Sequence, residues 1–410
     1  MTAVRRTSAS NLAKYQAVTL ENIFETVAGQ AMGFHFGKPK RIEDKALAVV
    51  LPILRDGEIG RDYITYSETE GVLATDSGSI NKVNLKNTTD HKVFVRSGTV
   101  FAGKGTQSRV ITRSAILMPK SDVSLDARCV HASHGIHTGS SFDNYGTISI
   151  DIERSVYGAG FQPKDQSTFW SAVNASNLMK STYYCAVDNR DGVTGTTEYS
   201  LDDISIFNNL GRPQGGELRP SFGGLRGATR PSFGGLRGDR ITGATASAGQ
   251  RSTGPSRRSA QHTQTATPPR DSFVGNDTVF TANLDDILAK VKLHENQVGL
   301  SLITDRGVET IELFEVNQSW AALHKDSVKR MGTELIKEEK EDVFEYKPEK
   351  AIEQVTRVLA LNFDANVIFE HKADGADKVV ITGLTSASHI GEAVELGGKL
   401  IHLSLLKRAA

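Results

Sequence analysis

The sequence predicts an α+β protein: a β-rich N-terminal half, sandwich- or barrel-like, and a C-terminal half of interleaved helices and strands. Three observations carry this reading. Before residue 208, short β-branched runs alternate with Gly, Asn, Asp and Ser. After residue 276, helical and strand periodicities take turns. Between them lies a Gly/Ser/Arg-rich stretch almost without aliphatic periodicity. The expected layout is 1–208, a disordered insertion over 209–275, and 276–410, with the outer parts forming one domain.

In chain order, Leu20 to Ala31 has helical character, and Ala46 to Leu54 reads as a buried strand despite Pro52. Tyr63-Ile-Thr-Tyr66, Val72-Leu73, Lys82 to Lys86, Lys92 to Val95 and Arg109 to Thr112 are strand-like, with Asn87-Thr-Thr-Asp90 as a turn. Asp165 to Met179 opens a helix around Phe169, Trp170 and Val173. Beyond the insertion, Leu284, Ile287, Leu288 and Val291 keep helical spacing after Asn283 as N-cap. Gln297 to Ile303 and Val308 to Phe314 form a hairpin around Asp305-Arg-Gly307. Trp320 to Met331 and Ala351 to Leu361 read as helices, and Val379 to Ile381 and Leu400 to Leu405 as closing strands. Trp170 and Trp320 fall in amphipathic segments and are expected as core anchors. The run Lys337-Glu-Glu-Lys-Glu-Asp342 is expected to be a solvated face.

The chain has 410 residues, with 48 Lys+Arg against 48 Asp+Glu. That balance excludes a globally basic nucleic-acid binder or an acidic solvating protein. Cysteine occurs twice, at Cys129 and Cys185, too sparsely for a disulfide framework. No apolar core follows Arg5-Arg6, and the run from Ala46 to Leu54 is far short of the roughly 20 residues of a spanning helix. A cytoplasmic setting without a membrane role is expected.

The charge balance conceals an asymmetry. Gly211 to Arg270 holds ten Arg, no Lys, one Asp and one Glu, a net +8, so the remainder carries −8. Within it Arg219-Pro-Ser-Phe-Gly-Gly-Leu-Arg-Gly227 recurs unchanged as Arg230 to Gly238. Two copies do not make a solenoid. Arg with Phe222 and Phe233 could contact RNA weakly and in a salt-dependent way. The favoured role is a flexible tether.

Two local constellations carry chemistry. Gly98 to Arg109 ends in Gly103-Lys104-Gly105-Thr106-Gln107-Ser108-Arg109, where glycines permit close backbone approach and successive amides can cradle an anion. Lys104 supplies a point charge, Arg109 a planar fork, and Gln107 an amide for a ribose or base. The stretch also spells G-x-x-x-x-G-K. Gly105 stands where a P-loop needs Ser or Thr, and a strand rather than a helix follows, so a P-loop is excluded. The plainer reading is a hairpin loop whose Lys and Arg pair with nearby carboxylates. The second constellation is Cys129-Val-His131-Ala-Ser-His134-Gly-Ile-His137. Cys129, His131, His134 and His137 are candidate ligands for zinc, although their spacing matches no standard framework. Cys129 with His131 is also a candidate catalytic pair. The plainer reading is a buried thiol with polar loop histidines.

Gly98 to Arg109, Val110-Ile111 and Cys129-Val130 together resemble the ARPP family, the domain associated with ADP-ribosylglycohydrolase and rhodanese-phosphatase proteins. The resemblance extends through Gln166 to Trp170, Gln297-Val-Gly299, Leu313-Phe314 with Trp320, and Leu400-Ile-His402. Thr99 stands where the family has an acid, His131 where it has Glu, and the glycine loop is one residue longer. The resemblance implies a role around NAD and ADP-ribose. The leading expectation is a protein that binds or processes such a nucleotide derivative. In that role Gly103, Lys104, Gly105, Gln107 and Arg109 hold the ligand, and Cys129 and His131 supply chemistry. Two other classes stand beside it: an adaptor whose β-rich body mediates homo-oligomer contacts and whose insertion recruits RNA or a partner, and a small metalloprotein centred on the Cys/His run. The adaptor class predicts that deleting 211–270 leaves thermal melting unmoved and abolishes capture in RNA and protein pulldowns; unchanged capture would eliminate it.

Overall fold

The computed structural model describes residues 18–42, 48–57, 60–103, 106–130, 136–176, 288–335, 349–372 and 377–409. These belong to one compact unit formed by 1–211 with 270–410; a second unit, 212–269, lies outside the described residues. The expected insertion, Asn283 to Ile287 and the charge run from Lys337 to Asp342 also lie outside them.

The elements run β1 (Phe34–Phe36), β2 (Lys40–Ile42), β3 (Ala48–Arg55), β4 (Tyr63–Thr65), β5 (Val72–Asp76), β6 (Lys82–Asn87), β7 (Lys92–Val95), β8 (Thr99–Gly103), β9 (Arg109–Ile111), β10 (Ala115–Leu117), β11 (Asp122–Cys129) and β12 (Ser141–Thr147). Helix α1 (Leu20–Ala28) precedes them; α2 (Ile150–Val156) and a helical α3 over 166–176 follow. The C-terminal part contains β13 (Gln297–Thr304), β14 (Gly307–Phe314), α4 (Asn317–Leu335), α5 (Glu349–Leu359), β15 (Asp364–His371), β16 (Val379–Thr385), β17 (His389–Leu396) and β18 (Lys399–Lys407). The class is thus α+β, and the β-rich half is a closed barrel rather than a sandwich.

Six antiparallel strands close that barrel in the order β11-β6-β5-β12-β8-β9, with β9 returning to β11. Closure removes the exposed strand edges that an open sheet of such short strands would leave. Val72, Ala74, Val83, Leu85, Phe101, Ile111, Ala127 and Phe142 form its apolar cluster, joined by Val93, Val95 and Leu117 from the sheet β10-β7-β4.

The second body is a nine-stranded sheet in the order β1-β3-β13-β14-β18-β17-β16-β15, with β2 also paired to β3. Pro52 is tolerated inside this sheet because β1 pairs residues 53–55 and β2 residues 48–50, leaving it between them. One face packs on α1 and α5. Val27 and Ile23 of α1, and Ala351, Val355 and Leu359 at helical spacing on α5, bury against Leu51, Ile53, Leu403 and Leu405. The other face receives α4, α2 and residues next to the barrel: Trp320, Val328 and Met331 meet Leu300, Leu302, Phe314, Phe94 and Ile150. Close approach explains Gly383, where a Cβ would lie 1.8 Å from the Gly160 carbonyl oxygen.

That second interface is also ionic. Glu312 of β14 accepts from Arg96 Nη1 at 2.6 Å and from Arg330 Nη1 of α4 at 3.1 Å. Arg330 Nε donates to Glu153 of α2 at 2.7 Å, and Arg330 Nη2 to Ser404 of β18 at 3.0 Å. His402 Nε2 lies 3.4 Å from Glu312. Ser97 and Ser114, flanking the barrel strands, donate to Glu392 of β17. All these side chains are buried. Burial pushes the Glu153 carboxyl up, although Arg330 opposes it. Burial would do the same to Glu312, but Arg96 and Arg330 together hold it well below the usual carboxylate range. Glu312 therefore contributes stability at neutral pH that is lost as pH falls through its folded value. Glu153, with its raised pKa, contributes below its unfolded value and loses that contribution as pH rises. Glu312→Ala leaves the buried Arg96 guanidinium without its carboxylate and Arg330 with Glu153 alone, and is expected to cost about 3–5 kcal/mol in urea unfolding. A loss under about 1 kcal/mol would contradict this ionic link.

Candidate functional site at the barrel mouth

Strand direction decides where the two sequence constellations meet. β5 ends at Asp76, β8 at Gly103 and β11 at Cys129, while β6, β9 and β12 begin at Lys82, Arg109 and Ser141. In register, Asp76 pairs with Val83, Gly103 with Phe142, Cys129 with Arg109 and Ser141 with Thr75. Connections 77–81, 104–108 and 130–140 therefore leave the same end of the barrel. The glycine loop and the Cys/His loop, read separately in the sequence, share one mouth.

Asp76 ties the three connections together. Its Oδ1 accepts from the Gly78 N–H at 2.8 Å. Its Oδ2 accepts from the Thr106 hydroxyl and, at 3.4 Å, from the His137 N–H, which also lies 3.1 Å from Thr106 Oγ1. Its backbone bonds Ser140 and Gly139. Asp-Ser-Gly after a strand reads in sequence as an Asx-type turn, so the residue gave a turn signal and no site signal. Gly103 is required by packing, since a Cβ there would lie 2.0 Å from the Thr106 carbonyl oxygen.

Among the sequence candidates, Gln107 and Arg109 are 3% and 0% exposed. Arg109 Nη1 donates to the Gln107 backbone oxygen at 2.9 Å and to its Oε1 at 3.1 Å. Arg109 Nη2 stands 3.5 Å from Asp76 Oδ2, an ion pair longer than a normal hydrogen bond. Among the described residues, neither Nε nor Nη2 has a hydrogen-bond partner. Lys104 and Gly105 lie outside the described residues, as do His131 and His134.

Cys129 is buried, and Gln166 of α3 brackets its backbone, accepting from its N–H at 2.9 Å and donating to its carbonyl at 2.7 Å. The thiol lies 3.3 Å from the Ile80 carbonyl oxygen. Burial pushes this thiol up to about 11, with Arg109 opposing and Asp76 assisting. It is therefore neutral at pH 7 and acts there as a weak donor. His137 reaches Asp76 and Thr106 through its backbone N–H. Among the described residues, no group of three or more His, Cys, Asp or Glu is placed to hold a metal ion, and no helix is long and apolar enough to cross a membrane.

Because the folded thiol pKa lies above the unfolded one, its share of stability is intact below about pH 9 and declines as pH rises toward 11. Native protein at pH 8 is accordingly expected to label with iodoacetamide at Cys129 far more slowly than urea-unfolded protein, as read by peptide mass spectrometry. Equal rates would contradict the buried neutral thiol.

No curated protein and no solved structure matches the chain. A family model does: ARPP-1, the ARG and Rhodanese-Phosphatase-superfamily-associated Protein domain, over residues 33–191. That span contains the whole barrel and the first three strands of the large sheet; β13 to β18 lie beyond it. Residues 33–191, with the three loops of the mouth inside them, carry an ARPP-1 domain.

Proposed function

We propose that the barrel mouth binds a nucleotide derivative of the NAD or ADP-ribose type, with Arg109 holding a phosphate. One observation carries the reading. The Nε–Nη2 edge of Arg109, the edge of a guanidinium that takes two oxygens of one phosphate, has no hydrogen-bond partner among the described residues, in a fully buried side chain. Nη1 is already fixed by Gln107, so the fork is oriented in advance. In sequence, Lys104 and Gly105 follow Gly103 directly in the same connection and would add a second cation and free backbone amides. Since Arg109 is buried, association is expected to be slower than at an open pocket.

Calorimetric titration of ADP-ribose and NAD tests this. Wild-type protein is expected to bind at least one of them, and Arg109→Lys, which keeps the charge and loses the fork, to bind about tenfold or more weakly with a similar melting midpoint. No heat from either ligand at millimolar concentration, or unchanged affinity in Arg109→Lys, would overturn the assignment.

A further inference from the structure

We infer that Asp76 is a built-in counter-anion at this mouth, which makes the site select phosphates of single charge, as in the diester-linked diphosphate of a dinucleotide, over terminal doubly charged phosphates. The inference rests on the nucleotide reading of the mouth and adds its charge selectivity. Asp76 and Arg109 both have side chains with no exposed surface, and Oδ2 stands 3.5 Å from Nη2 without closing a hydrogen bond. What holds the carboxylate back is neutral: the Thr106 hydroxyl and the His137 N–H on Oδ2, and the Gly78 N–H on Oδ1. The guanidinium is thereby neutralised across a gap while its Nε–Nη2 edge has no hydrogen-bond partner among the described residues.

A phosphate seated on that edge comes within a few ångströms of the Asp76 charge. Little water screens the approach there, and each added negative charge on the ligand is penalised. A phosphate esterified on both sides carries one negative charge at neutral pH. A terminal phosphate carries nearly two, its second ionisation lying near pH 6. Among the described residues, Arg128 is a further cation of this region, engaged by backbone carbonyls rather than by the pair. Cys129 is neutral, and Arg128, on β11, donates to the Ala127 and Lys164 carbonyls. His137 meets Asp76 through its backbone.

The probes are ADP-ribose, ADP, and ADP esterified with methanol on its terminal phosphate, titrated calorimetrically into the full chain at pH 7.5. Wild type is expected to bind ADP-ribose and the methyl ester about tenfold or more tightly than ADP. In Asp76→Asn, which removes the charge and keeps one of the two acceptor oxygens, this preference is expected to fall to within about twofold, with ADP gaining the most. In Thr106→Val the carboxylate loses a restraining hydroxyl and closes on Arg109, so all three ligands are expected to weaken together. A purely structural role for Asp76 would weaken binding in both variants and leave the preference intact; that outcome overturns the inference. The wild-type comparison of ADP with its methyl ester needs no variant to fold, and equal affinities there overturn it as well. Absence of wild-type binding to all three probes would instead remove the nucleotide reading on which it rests.

Discussion

Glu312 is the centre of the buried ionic contact between the two bodies of this protein. It lies on a central strand of the large sheet and takes Arg96, which leads into barrel strand β8, and Arg330 of α4 on its two oxygens. Arg330 passes the link on to Glu153 of α2 and Ser404 of β18. Arg96 reaches Glu312 across 216 positions of the chain, and Arg330 reaches Glu153 across 177. Swapping such a network for apolar residues is often neutral for stability, whereas breaking it is expensive. Its contribution is therefore one of position: the barrel is seated on the sheet in one orientation, because any other leaves buried charge unpaired.

The mouth uses the same chemistry in a looser form. Around Glu312 the ion pairs are short and each carboxylate oxygen is engaged. At Asp76 the carboxylate is held mainly by neutral donors, and its guanidinium partner stands 3.5 Å away with two nitrogens that have no hydrogen-bond partner among the described residues. A tight buried pair fixes structure; in the proposed reading, the pair kept apart leaves its cation able to exchange one anion for another. This contrast, more than the presence of glycines, separates the barrel mouth from the ionic interface at the sheet. The Cys129 backbone, bracketed by Gln166, places the barrel end against α3, and its neutral thiol adds no charge to the mouth.

Much of the fold was legible where a local period coincided with burial. Val72 to Asp76 and Lys82 to Asn87 alternate, and the hairpin of β13 and β14 declared itself through Asp305-Arg-Gly307. Ala351, Val355 and Leu359 announced α5 in the same way. What stayed hidden depends on closure or pairing. Strand β12 is Ser-Phe-Asp-Asn-Tyr-Gly-Thr, a loop-like composition made a strand by β5 and β8 on either side. Strand β15 is exposed along nearly its whole length and pairs only with β16, so burial leaves little periodic trace in it. Helix α2 buries Glu153 and Arg154, which by composition read as solvent-facing. At the site, both constellations were visible as motifs. Their meeting was not, because it follows from the antiparallel order of six strands. Asp76 could not be singled out among 48 acidic residues without that order.

The central claim is that connections 77–81, 104–108 and 130–140 act as one ligand-binding mouth. Amide hydrogen exchange of the full chain, with and without saturating ADP-ribose, addresses it most directly. The account predicts slowed exchange in all three connections together, rising over the same ligand concentration range, with the α1–α5 face of the sheet unchanged. Protection confined to one connection, or appearing only at a distance from the barrel mouth, would contradict it.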